Sequence, residues 1–100
     1  AEKYTMRVQS SFLLPGATTP VHTHSGTEAF YVVAGEQCME TPEAAHRLGP
    51  GRSIVLPADA VHLGRVTAPG GRRALALIVH DASRPASHDL VDAPRLASCE

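Results

Sequence analysis

One hundred residues with nine Lys+Arg, ten Asp+Glu and 43% hydrophobic content describe a near-neutral chain of single-domain size with a modest core. No apolar run approaches the roughly 18 to 20 residues of a membrane-spanning helix, and Arg72-Arg73 is the one basic pair, so neither a membrane nor a nucleic acid is an expected partner. With no Trp, two Phe and two Tyr, the core must come from Val, Leu, Ile and Ala, and the outlying feature is six histidines.

Gly and Pro punctuate the chain at Pro15-Gly16, Pro20, Ser25-Gly26, Gly35, Pro42, Gly49-Pro50-Gly51, Pro57 and Pro69-Gly70-Gly71. The intervals are too short for helices and rich in Val, Ile, Leu, Phe and Tyr, which predicts strands at about 4–14, 20–24, 28–34, 36–40, 45–48, 52–56, 61–67 and 72–80. Short antiparallel strands in this number suit an all-β jelly-roll barrel. The expected domain is a barrel over residues 1–80, followed by a C-terminal extension, 81–100, that shows neither strand nor helix periodicity. Gly16, Gly35 and Gly51 read as turn residues that need positive φ.

Two strands carry more. From Ala29 to Ala34, Phe30 and Val32 share one face while Tyr31 and Val33 share the other, and Ala74 to Val79 is likewise apolar on both parities. A strand with one solvated face alternates. Both faces are therefore expected to be covered, one by the barrel interior and the other by a second copy in a homodimer, or else by the chain's own tail or by residues preceding Ala1.

Cys38 and Cys99 form neither a CxxC pair nor a zinc-ribbon spacing, and Cys99 lies in a polar tail, so the expectation is against a disulfide. The sequence starts at Ala1 rather than Met; a cytoplasmic location is the first expectation, with a periplasmic or secreted one left open.

The chemistry concentrates between Gly16 and Gly35. His22 and His24, one residue apart on a strand, point to the same face, and Glu28, Phe30 and Val32 share their parity. His62, on a later strand, supplies a third imidazole. Neutral imidazole suits divalent Fe, Ni, Cu, Zn and Mn, a carboxylate adds charge and a hard oxygen, and no thiolate is near. Four such ligands on a six-coordinate ion leave two positions open, as a catalytic site requires. Phe30 and Val32 are expected to wall the pocket; Met39 is a further candidate whose parity the sequence leaves open. His46 near Arg47, His80 beside Asp81 and His88 in the tail read as solvated background.

The spacing of Gly16, His22, His24, Glu28 and Gly35 resembles the first motif of the cupin family at every fixed position, and Gly51, Pro57 and His62 resemble the second. Asp59 stands where the family often has Gly, and Val66 where it often has Asn. The resemblance implies a single-domain cupin, a double-stranded β-helix or jelly-roll barrel, holding one divalent metal on His22, His24, Glu28 and His62, with Fe or Mn favoured. It further implies a small-molecule substrate and most commonly dioxygenase-type oxidoreductase activity, with Glu28 as ligand or general base; isomerase, decarboxylase and lyase chemistry also occur in the family. The competing expectation is a metal-dependent ligand-binding or sensor module without turnover. The pocket is expected to be small and apolar, because the parities near the metal supply no Arg or Lys.

Overall fold

The computed structural model of the chain describes residues 2–99, which form nine strands and no helix among them. Strands β1 (Tyr4–Leu13), β8 (Arg72–Asp81), β3 (Thr27–Gly35) and β6 (Ser53–Leu56) make one antiparallel sheet in that spatial order. Strands β5 (Ala45–Leu48), β4 (Gln37–Glu40) and β7 (Leu63–Val66) make a second, and β2 (His22–His24) pairs with β9 (Ser87–Asp89). The eight predicted strands fall on β1 to β8 with ends shifted by a few residues, as expected where Gly and Pro fix the breaks.

The inward faces of the sheets enclose Phe30, Val32, Met39, Leu48, Leu56 and Ala74, with Ile54, Ala60 and Ala76 packed against them. On β3 and β8 the pleat puts Glu28, Phe30, Val32, Ala74 and Ile78 inside. A bulge between Val32 and Ala34 shifts the β3–β8 register, so Gly35 faces Arg72. Gly16, Gly35 and Gly51 all have positive φ. At Gly35 (φ 82°) a side chain is excluded twice, because an added Cβ would also overlap the Gly71 carbonyl. Asp59 adopts φ 65°, taking with a non-glycine residue the left-handed conformation that a Gly would adopt without strain, while its N–H donates to His24 O at 2.8 Å.

The outer face of the four-stranded sheet is not covered by any of the described residues. Tyr31 and Val33 are 43% and 42% exposed, with Val55 at 65% and Leu75 at 42%. Strand β1 inverts the usual alternation: Gln9 and Ser11 line the cavity, whereas Tyr4, Met6, Val8 and Phe12 face outward.

The tail runs elsewhere. After β8 it returns to the barrel, adds β9 beside β2 and passes the β4–β5 hairpin, where Ala97 N–H donates to Thr41 O at 2.9 Å. Cys99 is bonded to Cys38, with Cα atoms 6.2 Å apart, which corrects the expectation of unpaired thiols. The sequence misled because most of the hydrogen bonds that order the tail are to backbone atoms; Arg47 Nη2 donates to Cys99 O at 3.1 Å. A cross-link spanning 61 positions removes about 4 kcal/mol of unfolded-chain freedom on a loop-entropy model. Cys99→Ala should therefore lower stability by about 2 to 4 kcal/mol, read as a lower urea midpoint; an unchanged midpoint would show that the tail contributes nothing to the fold.

Candidate metal centre

One strand and the residue before another bring the imidazoles together. His22 and His24 lie on β2, and His62, just before β7, exchanges both backbone hydrogen bonds with His22 at 2.9 and 3.0 Å. Their ligand atoms lie within 4.8 Å of one another, and the ring centroids are 4.2 to 5.2 Å apart. Such a cluster of one ligand atom from each residue could hold a metal ion.

The outward nitrogens fix which atoms are available. His22 Nδ1–H donates to Pro20 O at 2.7 Å and His62 Nδ1–H to Ala60 O at 2.9 Å. His24 Nδ1–H donates to Ala86 O at 3.3 Å and lies 2.8 Å from Ser87 Oγ. A carbonyl oxygen can only accept, so each Nδ1 carries the proton and each Nε2 keeps its lone pair. Carbonyls and hydroxyls behind metal-binding imidazoles do this job in general. Burial lowers the pKa of His22 and of His24, which keeps both rings neutral and able to coordinate at pH 7.

Glu28, the second residue of β3, points its carboxylate among these lone pairs. Its Oε1 is 3.5 Å from His24 Nε2 and 3.4 Å from His62 Nε2, and it is fully buried without a hydrogen-bond partner. Burial raises the Glu28 pKa, but the positive charge that His62, His24 and His22 carry when protonated at acidic pH outweighs it; the net shift is downward, and the carboxyl is ionised at pH 7. An ionised buried oxygen facing lone pairs, with no proton between them, is a costly arrangement that a cation would relieve. The donor set therefore fits a divalent metal.

The cavity beside this centre has a volume of about 210 Å³. Phe30 and Met39 line it as apolar wall. Val32 does not: it is fully buried in the core behind the cavity. The expectation of an apolar pocket without Arg or Lys is also corrected, since Arg72, Gln37, Gln9, Ser11 and Thr19 line it. Arg72 was legible in the strand pattern, sharing parity with inward Ala74 and Ile78. Ser87, which supports His24, carried no comparable sign because its position depends on how the tail folds back. Among the background histidines, His46 and His88 are exposed as expected, whereas His80 is 3% exposed on the inward face of β8 and accepts from Arg7 Nε at 3.2 Å. Its parity with Ile78 outweighs the polar neighbour Asp81 that suggested a surface position.

A family model for the cupin domain matches residues 11–80, and the chain belongs to that family. No curated protein matches it by sequence. Among solved structures it is similar to the polyketide cyclase RemF from Streptomyces resistomycificus, with 21% identity, a TM-score of 0.73 and coverage of 88% of this chain and 62% of that one. It is also similar to the DMSP lyase DddQ from Ruegeria pomeroyi, with 25% identity and a TM-score of 0.71 over 83% of this chain and 42% of that one. An oxalate decarboxylase variant from B. subtilis, 20% identical, superposes with a TM-score of 0.75 over 87% of this chain and 24% of that one. The chain thus spans less than two thirds of the length of each of these three.

A test follows from the unpaired oxygen. In chelator-treated protein, Glu28→Gln should raise stability by about 1 kcal/mol, because the amide N–H can donate to the imidazole lone pairs that the carboxylate only repels. Thermal unfolding checks this; a fall of the midpoint in the metal-free variant would mean that the carboxylate is already satisfied.

Proposed function

We propose that this chain is a metal-dependent small-molecule enzyme, of dioxygenase-like oxidoreductase type, that takes its substrate through adjacent oxygens in the barrel cavity. His22, His24, Glu28 and His62 would hold one divalent ion, Fe or Mn in preference to Ni, Zn or Cu. The observation that carries this is the pairing of three Nε2 lone pairs, freed by their Nδ1 bonds, with the orphaned Glu28 Oε1. When bound, the ion would supply Lewis acidity and a place for dioxygen and substrate to meet. The remaining chemistry belongs to the chain. When not coordinating the ion, Glu28 Oε1, which no protein donor occupies, can instead take a proton from a substrate hydroxyl or carbon acid. Phe30 and Met39 limit water beside it.

The neighbours named as a cyclase, a lyase and a decarboxylase carry different activities on one architecture, so the barrel by itself selects none of them. The non-catalytic reading, a metal-dependent binding or sensor domain, is separated from the enzyme by turnover. The purified chain should carry about one divalent ion, His62→Ala should lose most of it, and the Fe(II) form should consume oxygen with one class among diketones, catechols, thiols and flavonols. Absence of metal uptake would overturn the site. Tight binding of one compound without oxygen consumption would favour the binding module.

We further propose a homodimer through the outer face of the four-stranded sheet. Its support is the exposed set Val8, Tyr31, Val33, Val55 and Leu75, contributed by four adjacent strands. Light scattering at micromolar concentration should give twice the chain mass, and Val55→Asp should halve it. A wild-type monomer would refute the dimer.

A further inference from the structure

We propose that Arg72 forms an oxyanion subsite in the barrel cavity and that the small molecule accepted there is a carboxylic acid. The inference rests on the cavity being the ligand site, as the proposed function has it, but not on the presence of the ion.

Arg72 opens β8 and is 4% exposed. Its guanidinium lies 5.3 Å from the centroid of the Phe30 ring. Nε donates to Gln37 Oε1 at 2.6 Å, and Nη1 donates to Ser11 Oγ at 2.8 Å and to Ser11 O at 3.4 Å. These acceptors are all neutral. No carboxylate among the described residues forms an ion pair with Arg72, and Glu28 is the one carboxylate lining the cavity. A buried cation held by neutral groups retains a strong preference for an anion.

The arrangement is built rather than incidental. Gln37 is 2% exposed, and its side chain fits only because residue 64 is glycine: an added Cβ there would overlap the Gln37 amide. Three strands from two sheets thus hold one guanidinium, β1 through Ser11, β4 through Gln37 and β8 through its own backbone. That fixes the fork and leaves Nη2 with no hydrogen-bonding partner among the described residues. A fixed guanidinium with its charge unpaired and Nη2 free suits a carboxylate oxygen as a charge-assisted acceptor.

The subsite is also at a usable distance. Phe30, on which the guanidinium rests, is two residues along β3 from Glu28, about 7 Å of strand. A small acid could place its carboxylate on Arg72 and its other oxygens toward the histidines. Arg72, the one cationic side chain lining a cavity of about 210 Å³, would then select anionic over neutral ligands of equal size, and an ion at the histidine end would add to that selection.

The test uses the full chain, with and without chelator, titrated with benzoate, benzamide and inorganic phosphate. Benzoate should bind the chelated protein and shift the Arg72 Nε–H resonance in nitrogen–proton NMR spectra, and benzamide should not. Arg72→Gln should weaken benzoate by at least about ten-fold and leave metal content unchanged. Arg72→Lys should retain an intermediate affinity, because the charge remains and the fork is lost. The proposal is overturned if benzoate leaves the Arg72 resonance unmoved, a result that needs no variant to fold, or if benzoate and benzamide bind alike. Tighter binding of phosphate than of benzoate would overturn the carboxylate assignment. Failure of metal uptake with benzoate still bound to Arg72 would sink the metal reading and leave this one standing.

Discussion

A carboxylate buried among three imidazole lone pairs is the constraint on which the rest of this barrel is organised. Glu28 is the second residue of β3 and pairs with Ile78 of β8 on one side and Leu56 of β6 on the other, so its backbone is held from both sides. The imidazoles cannot turn to donate to it either, because each spends its one ring proton on a group outside the site. Those outer bonds come from three separate places: the turn before β2, the loop before β7, and the returning tail. The barrel closes around a deficit of positive charge, which a cation held by the cluster would offset.

The same strands that hold the centre leave the opposite face of their sheet apolar. β3 and β8 are apolar on both parities because one parity builds the core and the other the outer surface, and β1 presents polar residues inward and apolar ones outward. Strand β1 lines the cavity with polar Gln9 and Ser11 and, of its apolar residues, with Leu13 alone. Its other apolar residues then serve the outer face, continuous with those of β3, β6 and β8. The tail, which might have covered that surface, is committed elsewhere by β9 and by the Cys38–Cys99 bond, where it supports His24 through Ser87.

Within the cavity, charge is divided between two ends. Glu28 and the histidines occupy one, and Arg72 with Gln37 and Ser11 occupies the other, with the Phe30 ring between them. The bulge at Val32/Ala34 belongs to this division, since it sets Gly35 opposite Arg72 at the start of β8. A cavity polar at both ends and apolar along its wall is better suited to orienting one small polar molecule than to holding an apolar one.

Much of this was legible in the residues alone. Gly and Pro marked the strand ends, the period of two put His22, His24, Glu28 and Phe30 on one face, and positive φ was foreseen at Gly16, Gly35 and Gly51. Local rules suffice there because the pleat and the turn act over two to four residues. Val32 against Phe30 shows where they stop: both point inward, yet only the latter reaches the cavity, since depth depends on the opposing sheet. The exposed outer face required knowing which strands lie side by side, whereas the inward placement of Arg72 and His80 follows from their parity with Ala74 and Ile78. The tail required more, because Ser87 and Cys99 act through partners some sixty residues away, and no local pattern specifies a contact whose energy depends on where the chain returns. The sequence alone determined the fold class and the donor set of the candidate centre; the tertiary structure alone decided which nitrogens remain free, where the second charge stands and what the tail secures.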